Sequence, residues 1–152
     1  MVTTSVNQPA GRVDVTRTAA SPSDRPNTIL RLNVISTKPR LAALAGFSAS
    51  IIDWLPPEGI IGIGTGSTSR LFIDALGEAV AGGRRYVAVP TSEASRTQAA
   101  ALGIPLLGDD GPWDIAVTVD GADEVDDRLD LIKGGGGAQT REKIVNYASR
   151  RN

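Results

Sequence analysis

Residues 120–143, DGADEVDDRLDLIKGGGGAQTREK, place Asp120 and Asp123 around Gly121, then Lys133 before four consecutive glycines, then Glu142. Such a stretch is a poor recipe for a packed core and a good one for a polar site. The chain has no histidine and no cysteine, so any proton transfer falls to a carboxylate or a lysine. Disulfide frameworks, thiolate nucleophiles, histidine triads and ordinary zinc sites are excluded with them. Four glycines in a row cost roughly 0.5–1 kcal/mol each relative to alanine in regular structure, which argues for a role beyond connection. Gly134, Gly135 and Gly136 can offer successive N–H donors to a ligand oxygen, with the Lys133 charge beside them. No Gly-Lys-Ser/Thr closes the run, so it is not a Walker loop. Glu142 falls early in the helix expected next. It can share a cavity with Lys133 across the glycine loop, or stand as an exposed acid that the helix dipole favours by only about 0.3–1 kcal/mol.

Three further loops carry polar residues. GTGST (64–68) follows an apolar run, yet neither glycine register completes a dinucleotide fingerprint: Ser67 and Ser69 stand where the third glycine belongs. The next strand ends in Val89-Pro90-Thr91 rather than in an acid for a ribose hydroxyl. Two readings remain: an anion-binding turn, in which Gly64 and Gly66 admit a ligand and Thr65, Ser67 and Thr68 add hydroxyls, or simply a tight strand-to-helix turn. DGADEVDD lacks the spacing of a calcium hand. It reads as a solvated acidic loop, as one or two magnesium ligands, or, in the pair Asp120 and Asp123, as acceptors for a polyhydroxylated ligand. PTSE (90–93) is the third.

The elements that position these loops alternate. Leu41, Leu44, Ala45, Ser48, Ile51, Ile52 and Leu55 recur at helical spacing before Pro56-Pro57. IIGI (60–63) is a strand, and Leu71, Phe72, Ala75, Leu76 and Ala79 mark a helix ending at Gly82-Gly83. RYVAV (85–89) is the next strand, with a helix to Leu102 and Gly103 after it. IPLL (104–107) carries Pro105 and so predicts an edge strand. IAVTV (115–119) and LDLI (129–132) are further strands, and AQTREKIVNYAS is a helix with Ile144, Val145 and Ala148 on one side. The order β-α-β-α-β-β-β-α with apolar strands predicts an α/β fold: an open, mostly parallel, Rossmann-like sheet with helices on both faces. In such a sheet ligands bind beyond the carboxyl ends of the strands. GTGST, PTSE, DGAD and KGGGG are all expected there.

Residues 1–28 are rich in Thr, Ser, Pro and Arg without apolar periodicity, which predicts disorder; 29–35 is a weak strand at most. The expected division is an extension over 1–40 and an α/β part over 41–152, the latter large enough for one core. Six basic residues against Asp14 and Asp24 give the first 40 residues +4, leaving −5 for the rest of a chain whose net charge is −1. An acidic globular part with no basic stripe is not expected to bind nucleic acid. No apolar run reaches the roughly 18–20 residues of a membrane span, and no secretory h-region opens the chain, so the expected location is the cytoplasm.

The stretches GIGTGSTSRLFIDAL, VPTSEASRTQAAALGIPL and DIAVTVDGADEVDDRLDLIKGGGGAQTREKI, spread over roughly residues 59–145, resemble ribose-5-phosphate isomerase, type A, in order and spacing. The resemblance implies an enzyme of the pentose phosphate pathway that interconverts ribose 5-phosphate and ribulose 5-phosphate through an enediolate, with neither metal nor organic cofactor. It implies Glu142 as the base that shuttles a proton between C1 and C2. Lys133, with Gly134, Gly135 and Gly136, would stabilise negative charge on substrate oxygens. Asp120 and Asp123, with Gly121 and Ala122 between them, would contact sugar hydroxyls, and Thr65, Gly66, Ser67 and Thr68 would form the substrate-binding turn.

The resemblance reaches only about the first half of the family's length, so the chain reads as truncated before a second subdomain. The strand after the last helix is then expected to be missing, the sheet edge open, and self-association into a homo-oligomer through that edge is expected. The alternative function is a catalytically inactive, truncated module that binds a sugar phosphate. A coenzyme-A-transferase-like reading would require glutamate-nucleophile chemistry that the KGGGG…TRE pattern does not suggest.

Overall fold

The structure, a computed structural model, describes residues 50–152 apart from Asp127 and Leu129, and the backbone of residues 2–8, 11–17 and 30–35. Strands β1 (Val2–Gln8), β2 (Gly11–Arg17) and β3 (Leu30–Ile35) pair antiparallel in that order, with Val6 opposite Val13 and Val15 opposite Leu32. The strands over 2–8 and 11–17 depart from the disorder expected over 1–28. Both are rich in Val and Thr, residues whose branched side chains favour extended backbone. Residues 18–29 and 36–49 lie outside the described residues, and with them most of the helix expected over 41–55. Its end is visible: residues 50–52 are helical, and Ile52 and Leu55 are buried.

The main sheet is parallel. Strands β4 (Glu58–Ile63), β5 (Arg85–Pro90) and β6 (Ile115–Val119) lie in the order β5-β4-β6, with Ile61 opposite Ala88 on one side and Val117 on the other. Beyond β5, Leu106 bridges to Ala88 in parallel, and the Ala88 and Leu107 N–H groups donate to Pro105 and Ala88 carbonyls at 2.7 and 3.0 Å. Pro105, which has no N–H to give, thus sits on the edge as expected. The edge beside β6 is not open. Ser149 bridges Ile115 in parallel, Thr118 N–H donates to Arg151 O, and Arg150 N–H donates to Ile115 O, each bond 2.9 Å. The Ser149-Arg150-Arg151 run has no apolar pattern to announce a strand; backbone groups make the pairing, and the Thr118–Ser149 hydroxyl contact and the Arg150–Asp114 ion pair reinforce it.

Helices cover both faces. Ile61, Ile63, Tyr86 and Ala88 pack with Phe72, Ile73 and Leu76 of α1 (Ser67–Ala81) and Ala99 of α2 (Glu93–Ala101). On the opposite face Val89 and Ile115 pack with Val145 of α3 (Gln139–Tyr147). Alternation along each strand sends successive side chains to opposite layers, which is why all-apolar strands sit between two helical layers.

Two expectations need correction. Ile144 does not share the buried side of α3 and is 52% exposed; the inward stripe holds Glu142 and Val145, three positions apart. LDLI is not a strand of the main sheet. Strand β8 (Leu131–Ile132) pairs antiparallel with β7 (Glu124–Val125) in a small separate hairpin, and Leu131 and Ile132 are both exposed. Its apolar residues imitate a core strand, but the hairpin only returns the chain toward β6. Among the described residues no helix is long and apolar enough to cross a membrane.

Candidate active site

The site is built at the carboxyl ends of β4 and β6. Gly64 follows β4 and bonds through its N–H to Val119 O at 2.9 Å. A Cβ on Gly64 would lie 2.1 Å from Asp120 Oδ1 and 2.7 Å from Asp120 Cα, so only glycine lets the two strand ends approach this closely. Asp120 uses that approach. Its Oδ1 accepts from Gly121 N–H at 2.8 Å and Thr65 N–H at 3.2 Å, and its Oδ2 lies 2.9 Å from Lys133 Nζ in an ion pair. Thr65 therefore joins Asp120 through its backbone. Gly66, at φ 107, starts α1 without a side-chain cap, and Gly66, Ser67 and Thr68 are exposed. An uncapped, solvent-facing helix N-terminus is suited to an anionic group.

The β7–β8 hairpin delivers Lys133 to the same place. Its Nζ donates to Gly121 O, pairs with Asp120 and lies 3.7 Å from Glu142 Oε2. Asp123 is exposed at the rim, where its Oδ2 accepts from Gly135 N–H at 2.8 Å and braces the glycine run. Ala122, between the two aspartates, is exposed as well. Gly137 N–H donates to Gly134 O at 2.9 Å, so part of the run's donor capacity is used internally. Gly134 has φ +102, and a Cβ there would lie 2.5 Å from Gln139 Cβ; the run must start with glycine to turn into α3. Gly136 passes over the first turn, since a Cβ on it would meet the Thr65 methyl at 4.0 Å.

Glu142, in the first turn of α3, is buried, and its Oε2 has no hydrogen-bond partner. Burial pushes its carboxyl above the ordinary glutamate range, the nearby Asp120 charge pushes it further, and Lys133 opposes both. A carboxylate that burial and a neighbouring negative charge disfavour is a stronger proton acceptor than a solvated one, and Lys133 moderates the effect here. The exposed-acid reading of Glu142 is thereby set aside. Among the described residues no three acids come together as a metal-binding group.

Sequence reasoning placed PTSE at this rim without assigning its parts. Thr91 is fully buried, its hydroxyl 2.8 Å from the Thr65 hydroxyl and bonded to Ile63 O at 3.1 Å. Ser95 Oγ donates to Gly64 O at 2.6 Å, and Ser92 caps α2 by accepting from Ser95 N–H. These hydroxyls hold the GTGST turn from beneath. The cap is legible as Ser three positions before another serine at a helix start; the partners of Thr91 and Ser95 depend on a loop 26 to 31 residues away.

The parallel α/β sheet thus carries, at its strand ends, a lysine between two buried carboxylates beside an uncapped helix N-terminus. The family model of ribose 5-phosphate isomerase A (phosphoriboisomerase A) matches residues 87–152. The chain is 56% identical over 104 residues to the ribose-5-phosphate isomerase A of Nitrobacter hamburgensis, covering 68% of this chain and 45% of that one. It is 40% identical over 112 residues to that of Protochlamydia amoebophila, covering 74% and 48%. Among solved structures, the ribose 5-phosphate isomerase A of Methanocaldococcus jannaschii superposes with TM-score 0.66 at 36% identity, covering 71% of this chain and 48% of that one. A D-ribose-5-phosphate isomerase in complex with phospho-erythronic acid superposes with TM-score 0.66 at 40% identity, covering 72% and 49%. Over the matched residues the chain is similar to ribose 5-phosphate isomerase A, and it spans under half the length of these relatives.

Proposed function

We propose that the chain carries the proton-transfer site of a ribose-5-phosphate isomerase, converting ribose 5-phosphate to ribulose 5-phosphate and back through an enediolate. In the forward direction Glu142 takes the proton from C2 of the open-chain aldose, and the C–H electrons form the C1–C2 double bond while charge moves to the C1 oxygen. Lys133 faces that developing charge, with the glycine-run N–H groups contributing donors. Return of the proton from Glu142 to C1, and transfer of the hydroxyl proton from O2 to O1, complete the ketose. Asp120 and Asp123, flanking Gly121 and Ala122, contact sugar hydroxyls, and the turn of Thr65, Gly66, Ser67 and Thr68 receives the anionic end at the start of α1.

The observation that carries this reading is Glu142: a buried carboxylate with an unbonded oxygen, 3.7 Å from a lysine that another buried carboxylate also holds. The complex of a relative with phospho-erythronic acid supports it, because that ligand pairs a phosphate with a carboxylate that imitates an enediolate's spread of charge. On this reading residues 41–152 form the isomerase part, residues 1–40 an extension, and the protein works in the cytoplasm within the pentose phosphate pathway. The test is formation of ribulose 5-phosphate by the purified protein, with phospho-erythronate binding measured on the same sample. Turnover that phospho-erythronate inhibits supports the proposal. Binding without turnover overturns it in favour of a silent sugar-phosphate-binding module.

A further inference from the structure

Arg141 opposes the local rule for its position. It occupies the first turn of α3, where the helix dipole disfavours a cation, and the N-cap, Ala138, makes no side-chain cap to anchor that turn. Its guanidinium instead spans two distant partners: Nε donates to Pro90 O at 2.8 Å, and a terminal nitrogen reaches Asp109 Oδ1 at 2.5 Å. Asp109 also takes Arg96 of α2, and the two arginines, Arg141 foremost, hold its carboxyl below the ordinary range. Pro90 precedes Thr91, whose hydroxyl touches Thr65. Arg141 thus ties the start of α3 to the loop that supports the GTGST turn. Its neighbour in the chain is Glu142.

Building on the function proposed above, we infer that Arg141 is a positioning residue: its two-point grip on Pro90 O and Asp109 sets where the Glu142 carboxylate stands relative to Lys133 and the GTGST turn. It touches none of the groups assigned to proton transfer. Two directed bonds from one planar group fix both the distance and the rotation of the helix start, which an ammonium cannot reproduce. A misplacement near 1 Å at a reacting centre can cost roughly a hundredfold.

The test is Arg141→Lys, which keeps the charge and removes the fork, read by steady-state kinetics, thermal unfolding and carboxyl-carbon NMR titration of Glu142. Asp120, Lys133 and Asp123 face Glu142 in both proteins, so a moved midpoint reports geometry. We expect kcat to fall roughly 10- to 100-fold, KM to stay within about threefold, and the Glu142 midpoint to move down toward its ordinary value as the carboxylate gains solvent. An unchanged midpoint with unchanged kcat overturns the inference. Should Arg141→Lys fail to fold, Asp109→Asn, at an exposed position that leaves the Pro90 bond in place, must lower kcat while folding normally; unaltered kcat there overturns it equally. If the wild-type protein forms no ribulose 5-phosphate, the functional proposal fails, and the Glu142 midpoint in Arg141→Lys alone decides the positioning claim.

Discussion

Asp120 and Glu142 leave only 4% and 7% of their side chains exposed, and both flank Lys133, but their surroundings treat them differently. Asp120 stands at the end of a sheet strand, where two backbone N–H groups converge on one oxygen and the lysine lies 2.9 Å from the other. Glu142 stands on a helix, where no backbone N–H reaches its Oε2 and the same lysine lies 3.7 Å away. Equal burial therefore comes with unequal surroundings: backbone hydrogen bonds hold one oxygen of Asp120 in place, whereas burial and the Asp120 charge disfavour the ionised form of Glu142. Lys133 connects the two and limits the rise at Glu142.

Replacing Glu142 with Gln should produce the largest change in rate. Shape is kept and basicity lost, so isomerisation should fall by about a thousandfold, within the range a general base contributes, while binding of ribose 5-phosphate, followed by calorimetry, persists. The same variant separates the two carboxylates by stability. Because the folded-state pKa of Glu142 lies above its unfolded value, the folded protein holds this proton more tightly. Its contribution is favourable below the unfolded value and is lost as pH rises through the window up to the raised value. Denaturant titrations should therefore show Glu142→Gln no less stable than wild type at pH 7, whereas Asp120→Asn, which breaks a buried pair, should lose about 3 kcal/mol. Equal destabilisation by the two would erase the distinction.

Lys133→Ala removes the group both acids share. Turnover and binding should both suffer, by about a hundredfold in kcat/KM, and the Glu142 midpoint should climb further because the Lys133 charge that opposes its rise has gone. A lower midpoint would show that Lys133 does not act as the counter-charge. Gly64→Ala tests the approach of the strand ends: a methyl 2.1 Å from Asp120 Oδ1 must displace that carboxylate, at a cost of about 2 kcal/mol from overpacking and with loss of substrate binding. Wild-type affinity in that variant would mean Asp120 need not stay where it is. The smallest effect is expected at Thr91→Val, where a buried hydroxyl bridging Ile63 O and Thr65 is lost, at about 1 kcal/mol in chemical denaturation. Since Asp120 meets Thr65 through the backbone, this change should loosen the turn and leave Glu142 titration untouched.

The sequence made the polar loops and their rim legible because an apolar strand ending in glycine or aspartate is a local signal. GTGST after IIGI and DGAD after IAVTV needed nothing distant to be read. Helix α1 was legible for the same reason, its apolar spacing and Gly82-Gly83 end lying within a few residues, and α2 through Gly103 at its end. What escaped depends on partners far along the chain. Ile144 and Ile132 look like core residues, yet which helix side and which hairpin face inward is decided by the sheet. The Ser149–Arg151 pairing with β6 rests on backbone groups that every residue carries and on the distant side chains of Asp114 and Thr118. Thr91, Ser95 and Arg141 were in plain view within quoted motifs, but hydroxyls and guanidinium groups do not announce the carbonyls they will meet. The raised pKa of Glu142 was likewise beyond the sequence, since it required knowing that the acid is buried.

The measurement that bears most directly on this account follows Glu142 and the reaction together: carboxyl-carbon NMR titration of Glu142, with kcat/KM for ribose 5-phosphate recorded against pH in the same buffers. The account predicts one midpoint shared by the carboxyl signal and the acid limb of the rate, above the ordinary glutamate value of about 4.3, and no such limb in the residual rate of Glu142→Gln. A Glu142 midpoint at or below the ordinary value, or a rate profile that passes through that midpoint unchanged, would contradict it.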